Sequence, residues 1–199
     1  MLRELVERNR SCRRFRQDER IAPQTLRELV ELARLSASAA NLQPLKYLLI
    51  STPEDCAHVF AHLAWAGYLE DWPGPAEGER PAAYIVILGD TTISPRFHCD
   101  HGIAAQSILL GATERGLAGC IIGSIRRDEL RATLGIDARY QILLVLALGR
   151  PAETIILETV GPDGDIRYWR DEQGRHHVPK RPLDEIIVEL PAGRGRAQG

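Results

Sequence analysis

The stretch Arg8-Asn9-Arg10-Ser11-Cys12-Arg13-Arg14-Phe15-Arg16 sets five arginines around one serine and carries an aromatic residue near its end. A run of like charge is most simply a solvated face. Three features argue for an anionic ligand instead. The cations are all arginine, and a guanidinium fork matches phosphate oxygens better than an ammonium does. Ser11 adds a hydroxyl that can donate to an anion. Phe15 is an apolar anchor that ties the run to a core.

Outward from this segment the chain reads as a mixture of helices and strands. Leu2, Leu5 and Val6 mark one face of a short helix ending near Asn9. Pro23 suits the first helical position, and Leu26, Leu29, Val30 and Ala33 continue as an apolar stripe. Residues 36–44 break that pattern and lead into a strand over 46–51. A helix over about 54–65 runs into a Trp/Pro/Gly-rich loop, longer than a plain connection requires and read as a lid or binding loop over 66–81. A buried strand at 84–89, a largely buried helix at 102–115 and a short strand at 118–122, turned by Gly123, follow. The next helix, 127–134, carries Asp128 and Glu129 where its dipole favours them. Residues 141–148 form the most hydrophobic strand. Beyond Pro151, Asp163-Gly164 and Gln173-Gly174 read as turns between short extended pieces. The Gly/Arg/Ala-rich tail, 191–199, is expected to be disordered. Helices and strands lack the strict alternation of a doubly wound sheet, so the fold class is α+β, with one domain over 1–190.

Composition narrows the function. With 44% hydrophobic and 26% charged residues and a net charge of -2, the chain is an ordinary globular sequence and not a nucleic-acid binder relying on bulk positive charge. No apolar run is long enough to span a bilayer. Met1-Leu2-Arg3-Glu4 lacks the features of a signal peptide. The cysteines, Cys12, Cys56, Cys99 and Cys120, form no CxxC pair, so reduced thiols in a cytoplasmic protein are expected. His98-Cys99-Asp100-His101 invites a metal reading, but neighbours on a helix point in different directions and no second ligand group stands out, so no metal is expected. His176-His177 reads as a strand or loop pair. Trp65, Tyr68 and Trp72 suit a pocket wall. No Ser–His–Asp set or carboxylate pair can be argued from spacing.

Four segments, in order and spacing, resemble the nitroreductase family of flavoproteins over Arg8 to about Ile187. Arg10-Ser11-Cys12-Arg13-Arg14-Phe15 is similar to the family's phosphate signature, with Asn9 where a basic residue is usual; Arg8 or Arg14 is placed to replace it. Ser36-Ala37-Ser38-Ala39-Ala40-Asn41-Leu42-Gln43-Pro44 resembles the loop that meets the pyrimidine edge of the flavin from the partner subunit. Here Ala37 stands for the usual proline, and Leu45 for a frequent aromatic. Short polar side chains suit that edge, with its two carbonyls and N–H. Gly116 to Ser124 resembles the strand and turn over flavin N5, where a glycine allows a backbone N–H to approach the ring. Lys180-Arg181 resembles a closing basic pair that returns to the phosphate. Asp100 and Gln106 lie in a stretch similar to the central helix and read as helix-start and interior hydrogen-bonding groups.

The resemblance implies a nitroreductase-like fold: a central, mostly antiparallel sheet flanked by helices, in an intertwined homodimer with flavin mononucleotide (FMN) at the subunit interface. It implies an FMN-dependent oxidoreductase passing electrons from NAD(P)H through flavin N5 to a small electron-poor acceptor such as a nitroaromatic or quinone. No side chain is expected to act as catalyst. Arg10 and Ser11 would hold the phosphate, and Arg13 would face the charge that develops near N1 and the C2 carbonyl on reduction. Ser38, Asn41, Gln43, Gly123, Ser124, Lys180 and Arg181 complete the expected cofactor site. Other readings are a flavin-binding module or sensor without turnover, and a flavin-modifying or dehalogenating relative. An RNA-binding role for the arginine run sits poorly with the acidic balance.

Overall fold

A computed structural model describes residues 1–190; the tail at 191–199, expected to be disordered, lies outside the described residues. The chain opens with α1 (Leu2–Arg8) and a two-residue strand, β1 (Phe15–Arg16). Helix α2 (Pro23–Arg34) begins with proline at its first position and buries the Leu26, Leu29 and Ala33 stripe. Strand β2 (Leu45–Ile50) leads to α3 (Pro53–Phe60), capped by the Thr52 hydroxyl on the Asp55 amide. Strand β3 (Ala83–Asp90) is buried at every residue, as its unbroken apolar run requires. Then come α4 (Asp100–Glu114), β4 (Ala118–Ile122), α5 (Arg127–Leu134) and β5 (Tyr140–Pro151).

The sheet is antiparallel throughout. Strand β3 lies between β2 and β5, and Val145 to Leu148 of β5, which face β3, also pair with β4 on their other side. Strand β1 adds to the end of β5, Phe15 opposite Pro151. One face of this sheet, carrying Ile85, Ile87, Leu146 and Leu148, meets the buried faces of α2 and α4 in a common core. Each fully buried Leu or Ile there contributes about 1.5–3 kcal/mol. The two helices approach closely at Gly111, where a Cβ would lie 2.2 Å from Leu32 Cδ1.

Two boundaries differ from the sequence reading. Helix α3 ends at Phe60 rather than near 65, because the chain turns and Leu63 pairs with Ile125. Strand β5 runs beyond 141–148 at both ends because partners continue there, Asp90 opposite Tyr140 and Phe15 opposite Pro151.

Internal packing divides the chain into two compact units, the first over Met1–Thr154 and the second from Ile155 onward. The span read as one domain, 1–190, thus contains both. In the second unit β6 (Ile155–Thr159) runs parallel to β8 (His176–Lys180), β7 (Trp169–Arg170) pairs antiparallel with β8, and α6 (Leu183–Ile186) follows. Its turns fall at Gly164 and Gly174, with φ of 73° and 74° that favour glycine. Among the described residues no helix is long and apolar enough to cross a membrane.

Candidate functional site

The arginine segment is an edge laid along β4. The Cys12 amide donates to the Gly119 carbonyl at 3.0 Å, and Ser11 bridges Gly119 in parallel. Alternation then decides what faces inward: Cys12 is buried, whereas Ser11 is exposed and Arg13 half-buried. Phe15 is fully buried, in space that Gly149 leaves by lacking a Cβ, which would lie 2.8 Å from the ring. Burial, with the charge of Glu153 behind it, pushes the Cys12 thiol above its ordinary pKa, and burial does the same for Cys120. Both remain neutral thiols.

Arg10, Arg13, Arg14 and Arg16 do not converge. The Arg10 guanidinium donates to the carbonyls of Asn9 at 2.5 Å and Val6 at 2.6 Å, closing the end of α1. Arg14 pairs with Glu79 at 3.3 Å and lies 6.0 Å from the Trp72 ring centroid; Arg16 pairs with Glu19 at 3.0 Å. Arg13 reaches the Ser11 carbonyl at 3.3 Å, and its amide donates to Glu153 Oε1 at 2.5 Å. Of the residues expected at the cofactor, Ser11 and Arg13 therefore lie on the outer side of this edge, while Arg10, expected at the phosphate, is engaged with the end of α1.

Along β4 the next landmark is Gly123, four residues beyond Gly119 and roughly 13 Å away at strand rise. Gly119 is enclosed, for a Cβ would lie 2.5 Å from Leu109 Cδ2 and 2.7 Å from the Ala147 carbonyl. Gly123 is open: a Cβ there would meet nothing nearer than Leu144 Cδ2 at 4.0 Å. Gly123 and Ser124 are both exposed. Their carbonyls are fixed, Gly123 accepting from Arg127 at 3.2 Å and Ser124 from the Ala64 amide at 3.0 Å.

The 66–81 loop joins the two ends of this edge. It follows Ala64, tied to Ser124, and its Glu79 carbonyl accepts the Phe15 amide at 2.8 Å. Gln17 Oε1 accepts the amides of Gly78 and Arg80 at 2.7 and 3.3 Å. Gly74, at φ 117°, lies against Trp65, where a Cβ would be 2.8 Å from the indole.

The polar loop before β2 is strained. Ala40, Asn41 and Gln43 have φ of 49°, 54° and 52°, a left-handed conformation costing on the order of 1–3 kcal/mol per non-glycine residue. What holds it is Asp100. One carboxylate oxygen accepts the Ser38 hydroxyl at 2.6 Å and the other the Ala39 amide at 3.0 Å, while Ser38 Oγ accepts the Gln43 amide at 2.9 Å. Ser38 is thus a scaffold, and Asn41 and Gln43 are left exposed, with the Gln43 side chain on the Asn41 carbonyl at 3.2 Å. Beside the loop opens a cleft of about 500 Å³ bordered by Ser38, Gln43, Tyr47, Arg34, Leu45 and Ala104. Burial, and then the charge of Asp100, pushes the Tyr47 phenol up to about 12.

Lys180 and Arg181 belong to the second unit. Lys180 ends β8, and Arg181 pairs with Glu185. Two residues gain roles the sequence had not assigned. The sequence reading takes Asp100 only as a helix start; its signal is an acid opening a helix whose middle is apolar. Glu153 had none, since its partners lie far back in the chain.

Among known proteins, the model of the Nitroreductase family matches residues 6–150. YdgI of Bacillus subtilis (strain 168), named as an NAD(P)H nitroreductase, is 23% identical over 201 residues, covering 84% of this chain and 96% of its own. A nitroreductase structure in complex with FMN, from Exiguobacterium sibiricum 255-15, aligns with a TM-score of 0.67 at 19% identity, covering 85% of this chain and 97% of that one. The NADPH:FMN oxidoreductase of Vibrio harveyi, complexed with NAD+, aligns at 0.59 with 23% identity, covering 75% and 68%. At these identities the structural likenesses speak for the fold.

Proposed function

The chain belongs to the nitroreductase family, and from that premise we propose that it binds FMN and acts as an NAD(P)H-dependent oxidoreductase on small electron-poor acceptors such as nitroaromatics or quinones. The observation that carries this reading is the edge of β4, with Ser11 and Arg13 beside Gly119 and an open Gly123 at the far end. A phosphate suits the hydroxyl and guanidinium at one end. A flat ring suits the space that a side chain at 123 would fill.

Bound there, FMN would supply the redox chemistry, taking hydride at N5 from a reduced nicotinamide and giving two electrons to the acceptor. The chain's part is binding and orientation. Ser11 holds the phosphate, and Arg13, in place of the N1-facing role that the resemblance implies, joins it there; Arg10 joins them only by releasing the carbonyls of Val6 and Asn9. The backbone at Gly123 and Ser124 approaches N5, its carbonyls kept in place by Arg127 and Ala64. Asn41 and Gln43, presented by the Asp100–Ser38 scaffold, meet the pyrimidine edge of a flavin held by a second copy. Exposed Leu2, Val6 and Ile103 support such a homodimer.

Purified protein is expected to be yellow, to release FMN on denaturation, and to oxidise NADH or NADPH in the presence of a nitroaromatic or quinone. Protein that is colourless and takes up no flavin overturns the proposal. Yellow protein that oxidises neither nicotinamide is a binding module and not an oxidoreductase.

A further inference from the structure

Glu153 places a carboxylate inside the segment assigned to the phosphate. Its Oε1 accepts the amide of Arg13 at 2.5 Å and that of Arg14 at 3.2 Å. Successive backbone N–H groups of this kind form concavities that bind anions. Here the anion is internal. Glu153 arrives just past β5, where the Ala152 amide donates to the Arg14 carbonyl at 2.9 Å and Pro151 pairs with Phe15. The segment is therefore clamped from two sides, by residues 151–153 and, through the Cys12 amide, by Gly119.

Two consequences follow. The amides of Arg13 and Arg14 are occupied, so an external phosphate must be recognised by side chains. The conformation of those side chains depends on the clamped backbone, since the Arg13 guanidinium reaches back to the Ser11 carbonyl at 3.3 Å. A guanidinium selects phosphate only when its fork is aimed.

We infer that Glu153 is a positioning residue that sets the preference of this site for the phosphorylated flavin over riboflavin, by fixing the backbone from which Ser11 and Arg13 are presented. The inference rests on the FMN reading above. Geometry and charge act with opposite sign here. Accepting the two amides orders the site, whereas a negative group near a phosphate dianion repels it. Glu153→Gln keeps an acceptor and removes the charge. Glu153→Asp keeps the charge on an arm too short to span the same two amides from the same backbone position. Glu153→Ala removes both.

The test is the dissociation constant of FMN and of riboflavin for the full-length protein after flavin removal, in wild type and the three variants. Wild type is expected to favour FMN. Glu153→Ala and Glu153→Asp are expected to weaken FMN about tenfold while leaving riboflavin within about twofold. Glu153→Gln should keep or increase the wild-type preference. An FMN-to-riboflavin ratio unmoved in the alanine and aspartate variants overturns the inference, whether both ligands hold or both weaken together. Tighter FMN binding in the glutamine and alanine variants alike also overturns it, for Glu153 would then act only as a counter-charge. Should the alanine variant fail to fold, the aspartate and glutamine variants decide the question between them. Wild type that binds neither flavin refutes the FMN reading itself, which is a different result from wild type that binds FMN with a ratio the variants do not move.

Discussion

Asp100 holds Ser38 by a 2.6 Å hydrogen bond from the buried start of α4, and with it a loop in which three non-glycine residues are left-handed. Asp100→Ala strips partners from the Ser38 hydroxyl and the Ala39 amide together. Hydrogen bonds to a buried charge are worth about 1.5–3 kcal/mol, so a loss of that size is expected in urea unfolding. Asp100→Asn, which still offers one acceptor oxygen, should lose less. FMN affinity should fall with the loop's order. An unfolding midpoint unchanged in Asp100→Ala would show that the loop keeps its conformation by other means.

Gly119 lies within β4 and Gly123 just past its end, and the two answer different demands. A Cβ at 119 would press on Leu109 and on the Ala147 carbonyl, which is backbone and cannot yield cheaply. Gly119→Ala is therefore expected to cost about 1–3 kcal/mol of stability. Gly123→Ala meets open space and should change stability by less than about 0.5 kcal/mol. Its cost should appear in flavin binding, as a loss of about tenfold or more. Thermal unfolding of the apoprotein and flavin titration separate the two effects. A Gly123→Ala protein that binds FMN as wild type does would remove the ring from this position.

What the sequence made legible followed from local pattern. Strand β4 and helix α5 fall where they were read, because Ala118 to Ile122 is bounded by Gly123 and Arg127 to Leu134 is closed by Gly135 in a left-handed C-cap. Strand β1 was missed because two residues carry no period; they become a strand only through Pro151 and Arg150. Helix α3 was drawn too long because the pairing of Leu63 with Ile125 is non-local. The same limit applied at the site. Arginines close in sequence look like one cluster, but backbone alternation, the carboxylates Glu19 and Glu79, and the carbonyls of Val6 and Asn9 send their side chains to separate partners. Ser38 showed as a polar loop residue, while the acid that holds it lies on another element.

That dispersal makes the arginine run testable residue by residue. Arg13→Ala is expected to weaken FMN by about tenfold or more and to flatten its salt dependence, since a charge-assisted contact to phosphate is lost. Arg16→Ala removes an exposed pair with Glu19, the kind worth about 0–1 kcal/mol, and should leave FMN affinity at the wild-type value. Flavin titration at two ionic strengths reads both. Equal losses in the two variants would mean that the run acts as a diffuse positive field and not through Arg13.

His177 gives the second unit a pH dependence of definite sign. Its ring donates to Glu158 at 2.5 Å and to Asp171 at 3.1 Å, and stacks on Trp169 with centroids 4.1 Å apart. Two carboxylate acceptors require two ring protons, so the imidazolium is the form that fits. The hydrogen bond to Asp171, against the cost of burial and with help from Glu158, raises the pKa of His177. Burial alone would push Asp171 up, but the bonds from His177 and Arg175 outweigh it and hold the carboxyl at about 2. A raised histidine stabilises fully below its unfolded value of about 6.5 and loses that contribution as pH climbs through the folded value. A depressed aspartate stabilises above its ordinary range and loses that contribution as pH falls toward about 2. The second unit should therefore be best ordered between about pH 4 and about pH 6.5, and should loosen above that. Protection of the β8 amides from hydrogen exchange, corrected for the intrinsic rate, should fall from about pH 6 to about pH 9 in wild type and stay flat in His177→Gln. Flat protection in wild type would show that the imidazolium does not hold β6, β7 and β8 together.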